Sequence, residues 1–254
     1  MYPGTPARDV ADFVQGAAAA AIGIGPALAA VFLALRRYDR PHFDHTLFDD
    51  RRVFLALAVG FVFGTIGSAV AAFAAQPDPA GAFVALFLVA VLEEAFKLVY
   101  LNRKGYRARF DTTYVGVALG GGVAATSAFV PAYRAAAFLG DPLTAGFLLV
   151  FSLSLATLHV FTGSLIGFGC AFGATFPRLA WALLARAIYL ILLMPFVLAA
   201  GSAVTTGPVV FLAAGLALSL FLYRFALVQT LPDAVPADVR NERRRRARAK
   251  ALKQ

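Results

Sequence analysis

The sequence predicts an all-α fold, a polytopic membrane bundle of about seven transmembrane helices, and three observations predict it. Of 254 residues, 60 % are hydrophobic, against about 45–50 % in a soluble domain, and the mean hydropathy is +0.75. The apolar residues gather into runs of about 20 or more, the length that a hydrocarbon core of roughly 30 Å demands. The runs do not alternate as barrel strands do. Spanning segments must then be helices, whose backbone groups find partners within the segment.

The runs fall at 10–35, 53–75, 80–101, 112–138, 143–173, 178–200 and 207–230. The first is followed, not preceded, by its positive charges, Arg36 and Arg37, so it does not read as a cleaved signal peptide. The fifth is long enough to tilt or to extend beyond the bilayer. Pro26, Pro131 and Pro195 fall inside runs, where kinks are expected. "QPDP" at 76–79, "GDP" at 140–142 and "TTGP" at 205–208 are turn chemistry between spans. Glycines recur four apart, at Gly60/Gly64, Gly116/Gly120, Gly163/Gly167 and Gly169/Gly173. That spacing lines one helix face and predicts close helix contact. The single cysteine, Cys170, excludes an intramolecular disulfide and reads as a small buried hydrophobe.

The net charge of +9 is unevenly placed. Lys and Arg crowd the segments 36–52, 102–110 and 231–254, while the connections near 78, 141 and 204 carry none. With seven spans, every basic segment lies on one side. The positive-inside rule makes that side cytoplasmic, with the N-terminus outside and the C-terminus inside. Residues 1–230 then form the membrane domain and 231–254 a basic cytoplasmic tail, in a protein of the cell (cytoplasmic) membrane. The tail "RNERRRRARAKALKQ" suits anionic lipid of the inner leaflet better than a specific nucleic acid. "HFDH" places His42, Asp44 and His45 together, but nothing else in that loop completes a metal site, and a solvated loop is the expectation.

One segment breaks the apolar pattern. "FLVAVLEEAFKLVYLNRKG" carries Glu93, Glu94 and Lys97 toward the charge-rich end of the third run. Lys97 follows Glu93 by four and Glu94 by three, so all three share one broad helix face. Ionisable groups at depth are costly, face the bundle interior and mark function by default. Two carboxylates away from water cannot both ionise freely, and such a pair can supply a base and an acid. His159 lies mid-way along the fifth run and Arg186 about as deep in the sixth as the glutamates. Helix counting puts His159 and Ser127 both about 20 Å from the charge-rich face. His159 is therefore expected to face Ser127, with a glutamate within one turn below.

In sequence, "EEAFK", then "FDTTYVGVALGGGVAA", then "HVFTGSLIGFGCAFG" resemble successive segments of the PrsW-type glutamic intramembrane proteases, distant relatives of the CAAX prenyl proteases. The resemblance covers about residues 85–195. It matches Glu93, Glu94 and Lys97, then Phe110, Asp111, Gly116, Gly120 and Gly122, then His159, Thr162, Gly163 and Gly167. Two motifs depart. The family's second catalytic glutamate falls at Ser127, and its last histidine and the acidic or amide residue after it fall at Arg186 and Leu190.

The resemblance implies an endopeptidase acting on membrane-embedded or juxtamembrane peptide bonds. Glu93 or Glu94 would activate water, Lys97 would tune the pair and His159 would assist. No cofactor or metal is expected, because catalytic zinc usually takes three protein ligands. Two other classes stay open. One is a non-catalytic member that binds transmembrane segments or serves as a subunit of a membrane complex, with the two glutamates, Lys97 and Arg186 as a charge-balanced network. The other is a proton-coupled carrier, disfavoured by the lack of an internal repeat.

Overall fold

The computed structural model describes residues 6–39, 46–73, 79–199 and 206–241. Seven long helices follow one another: α1 (Pro6–Leu35), α2 (Asp50–Phe73), α3 (Pro79–Leu101), α4 (Thr112–Arg134), α5 (Pro142–Phe172), α6 (Thr175–Ala199) and α7 (Thr206–Phe225). No strand occurs among the described residues. Six of these helices, all but α3, are long and apolar enough to cross a membrane. α3 has comparable length, 23 residues, but carries Glu93, Glu94 and Lys97 in its second half.

The ends follow local chemistry. Asp141 caps α5, accepting from the Leu143 and Thr144 amides at 3.4 and 2.9 Å and from the Thr144 hydroxyl at 2.7 Å. Those bonds, the Thr144 hydroxyl first, hold its carboxyl below the usual range. Gly173 closes α5 with φ of 81°, the left-handed conformation that glycine adopts freely. Nothing lies within 4 Å of the place a Cβ would take there, so Gly173 makes a turn and not the close helix contact its spacing suggested. α7 stops being α-helical at Phe225, five residues before the expected end, and passes through a π-helical turn at Ala226–Thr230. Beyond it Leu231, Ala234 and Val235 are buried in the main core, so the packed bundle continues past residue 230 into the segment expected to be tail.

α4 sits at the centre, packed against α1, α2 and α5. It can do so because its sequence, "GVALGGGVAA", is nearly all small. A Cβ on Gly116 would overlap the carbonyl oxygen of Gly163, and one on Gly163 that of Gly116. A Cβ on Gly120 would strike the His159 carbonyl, and one on Gly122 the Leu57 carbonyl on α2. The obstacles are backbone atoms, which cannot swing away. Gly163→Leu should therefore push α4 and α5 apart and cost at least about 1–3 kcal/mol. Gly146→Ala, on the same helix but with open space around it, should be tolerated. Thermal unfolding in detergent reads both, and a Gly163→Leu variant as stable as the parent would contradict this packing.

α3 lies at the side of this core, against α2, α5 and α6. The Phe63 and Phe96 rings stack at 3.6 Å between centroids, 2° from parallel, joining α2 to α3. At the charge-rich end Arg52 donates to the Gly105 carbonyl at 3.0 Å, and the Arg103 guanidinium lies 4.0 Å from the Tyr100 ring centre. These contacts hold the α3–α4 connection and so set the depth of α3 beside α5 and α6.

Candidate functional site

Glu93 and Glu94 are adjacent and project from the inner side of α3. Both are buried, as are Lys97 one turn on, His159 and Thr162 on α5, and Arg186 on α6. The α4–α5 glycine contact is what admits α5 this closely: His159 supplies the backbone carbonyl that fits against Gly120.

Lys97 is the inner hub. Its Nζ donates to Glu94 Oε1 at 2.8 Å and to Thr162 Oγ1 at 2.8 Å, and it lies 2.9 Å from His159 Nδ1. Three acceptors surround a group that, as an ammonium, has three protons. Thr162 in turn donates to Glu94 Oε1 at 3.2 Å. An ammonium donating to Nδ1 leaves the proton of the neutral imidazole on Nε2, which becomes a donor.

Arg186 is the outer hub. One terminal nitrogen reaches Glu93 Oε2 at 2.5 Å, and its Nε lies 3.6 Å from Glu94 Oε1. Glu93 Oε1 accepts from the Ser127 hydroxyl at 3.4 Å, and Glu93 Oε2 lies 3.7 Å from His159 Nε2. His159 and Ser127 thus come to one place, but they do not face one another with the glutamate below. Glu93 stands between them. Counted from the charge-rich helix ends, Ser127 is 15 residues from Thr112 and Glu93 is 8 from Leu101. Their contact therefore sets α3 about 10 Å along the bundle relative to α4, at 1.5 Å per residue.

Four buried atoms in this cluster have no hydrogen-bond partner: Glu94 Oε2, His159 Nε2, and Nε and the second terminal nitrogen of Arg186. One is an acceptor and the others are donors. Buried polar atoms in folded proteins are nearly all paired. Two of the donors, His159 Nε2 and Arg186 Nε, still lie 3.7 and 3.6 Å from glutamate oxygens, which leaves Glu94 Oε2 and the second terminal nitrogen of Arg186 as the most open of the four.

A groove leads there. Its volume is about 540 Å³, and its lining runs from Arg134, the last residue of α4, past Ser68 and Val89 to Ser127, Glu93 and Arg186. It enters between the ends of α2, α4 and α6 that meet the charge-poor connections. Glu94, Lys97, His159 and Thr162 lie behind it.

Of the residues read from the sequence, Glu93, Glu94, Lys97, His159, Arg186 and Ser127 all converge. Asp111 does not join them and instead pairs with Arg109 at 3.0 and 2.9 Å. Leu190 contributes only an apolar wall to the groove. His42, Asp44 and His45 lie outside the described residues. Cys170 is buried with a free thiol. Among the described residues no three of His, Cys, Asp and Glu converge as metal ligands. Thr162 is the member whose role sequence reasoning missed. Its signal was its place three residues after His159, on the same face of α5. Tyr189 was also missed: it bonds Ser154 at 2.6 Å beneath the groove, and no spacing announced it.

No family model, curated protein or solved structure matches the chain.

Proposed function

We propose that this cluster is the active site of a PrsW-like intramembrane endopeptidase, in which Glu94 activates water. The observation that carries the reading is the set of orphaned polar atoms on Arg186, which lines an open groove, and on Glu94 and His159 directly behind it. Lys97, Thr162 and Arg186 all engage Glu94 through Oε1, which leaves Oε2 free to take a proton from water. Glu93, by contrast, is held at both oxygens, by Arg186 at one and Ser127 at the other, and so presents no free oxygen to a water. Its part is to position Arg186.

The hydroxide formed at Glu94 would attack the carbonyl carbon of a peptide bond lying in the groove. Its oxygen would take up the developing negative charge beside the free Arg186 nitrogen and the His159 Nε2–H, two pre-placed donors. Protonated Glu94 would then return its proton to the leaving amine as the C–N bond breaks. Lys97 fixes the carboxylate and the imidazole tautomer together. Arg186, standing where the family has a histidine, supplies a donor of another kind. Purified protein should cleave a model transmembrane peptide, and Glu94→Gln, which keeps the shape but takes no proton, should abolish cleavage.

One observation favours a second reading. Two carboxylates meet two cations, Glu93 with Arg186 and Glu94 with Lys97. A neutral network of that kind would pin α3 to α5 and α6 in a non-catalytic protein that binds a transmembrane segment. Under that reading the parent protein cleaves nothing.

Both readings share one topology: seven spans, counting α3, with the basic segments in the cytoplasm. A reporter fused after Gln254 should read as cytoplasmic and one placed before Met1 as external. A C-terminal reporter found outside would overturn it.

A further inference from the structure

A second groove, separate from the cluster, runs along the outside of the bundle between α6 and α7. It holds about 470 Å³ over Phe161 and Leu165 of α5. Its walls are aromatic and aliphatic, among them Leu184, Ile188 and Leu218, with one charged residue, Arg178, at the end near the charge-rich face. Trp181, one turn along α6, is 61 % exposed beside it. From Arg178 to Ile188 the α6 wall is 10 residues, about 15 Å long at 1.5 Å per residue.

The Arg178 guanidinium lies 5.1 Å from the Phe168 ring centre. Among the described residues it has no carboxylate partner. A cation held in place at the head of a lipid-facing apolar channel has one natural complement, a phosphate with an acyl chain attached. Tryptophan at that level is what the boundary between hydrocarbon and headgroups selects.

We infer that this groove is a binding site for an anionic phospholipid, its phosphate on Arg178 and one acyl chain laid between α6 and α7. The inference rests on the chain lying in a bilayer and not on the peptidase reading. The site is distinct from the basic tail, because its specificity comes from one arginine joined to a shaped apolar channel.

The test uses the full chain in mixed phosphatidylcholine and phosphatidylglycerol nanodiscs, followed by native mass spectrometry of the lipid retained after release into detergent. The parent should keep phosphatidylglycerol in preference to phosphatidylcholine. Arg178→Ala should weaken that preference about fivefold, the worth of one cation near an anionic leaflet. Arg178→Lys should keep part of it. Ala185→Trp, which fills the channel and leaves the charge, should also lose the lipid. Arg51→Ala, which removes a charge on α2 away from the groove, should change nothing. Equal retention of both lipids by the parent would overturn the inference. So would an Arg178→Ala effect no larger than that of Arg51→Ala, or a second copy of the chain cross-linking through a Trp181→Cys variant.

Discussion

Replacing Arg186 by leucine should destabilise the bundle by about 3–5 kcal/mol, the usual cost of removing one partner of a buried ion pair. For a chain of this size that is a fall of roughly 10 °C in melting temperature. The cause is Glu93. Its Oε2 loses the guanidinium at 2.5 Å and keeps, on its other oxygen, only the Ser127 hydroxyl at 3.4 Å. Removing both charges together, as Arg186→Leu with Glu93→Leu, should restore much of the loss, because no uncompensated charge then stays buried. The double-mutant cycle separates the pair from the packing of each side chain. Additive losses in the double variant would show that the two residues are not coupled. In the peptidase reading, Arg186→Leu also removes an oxyanion donor, so activity falls further than stability explains.

Lys97→Met should have a similar or larger effect. Lys97 is completely buried and its ammonium serves Glu94, His159 and Thr162 at once. Methionine fills much of the space but leaves the Glu94 carboxylate with the Thr162 hydroxyl and an arginine nitrogen at 3.6 Å. It also frees His159 Nδ1, so the ring tautomer is no longer fixed. A loss of about 3–5 kcal/mol is expected. Combining it with Glu94→Gln, which removes the stranded charge, should recover part of that loss. If Lys97→Met melts with the parent, the inner hub does not hold α3.

Much of this was legible in the chain because its solvent is legible. Apolar length fixes where a helix must run, and the seven runs match α1 to α7 to within several residues. The glycine pairs at Gly60, Gly116, Gly120 and Gly163 were readable as contact faces, since only a missing Cβ lets two backbones touch. Gly173 was not separable from them by spacing, because a left-handed cap and a packing position can both use glycine. The charged cluster was legible for the opposite reason: Glu93, Glu94, Lys97, His159 and Arg186 have no business in hydrocarbon unless they meet. What spacing could not give was the pairing. The 10 Å offset of α3 depends on how the 102–111 connection folds over Tyr100 and Gly105. The placement of α3 beside α6 decides that Arg186 takes Glu93, whereas Lys97 and Glu94 pair within α3, three residues apart. Both grooves are lined by residues of several helices at once, which no single helix records.

Cleavage of a model transmembrane peptide by the purified parent, beside Glu94→Gln and Glu93→Gln at matched melting temperature, tests the central claim most directly. The peptidase account predicts cleavage by the parent, none by Glu94→Gln, and partial loss in Glu93→Gln through a displaced Arg186. A parent that cleaves no peptide, together with glutamine variants that only lose stability, would contradict it and leave the cluster as a clamp between helices.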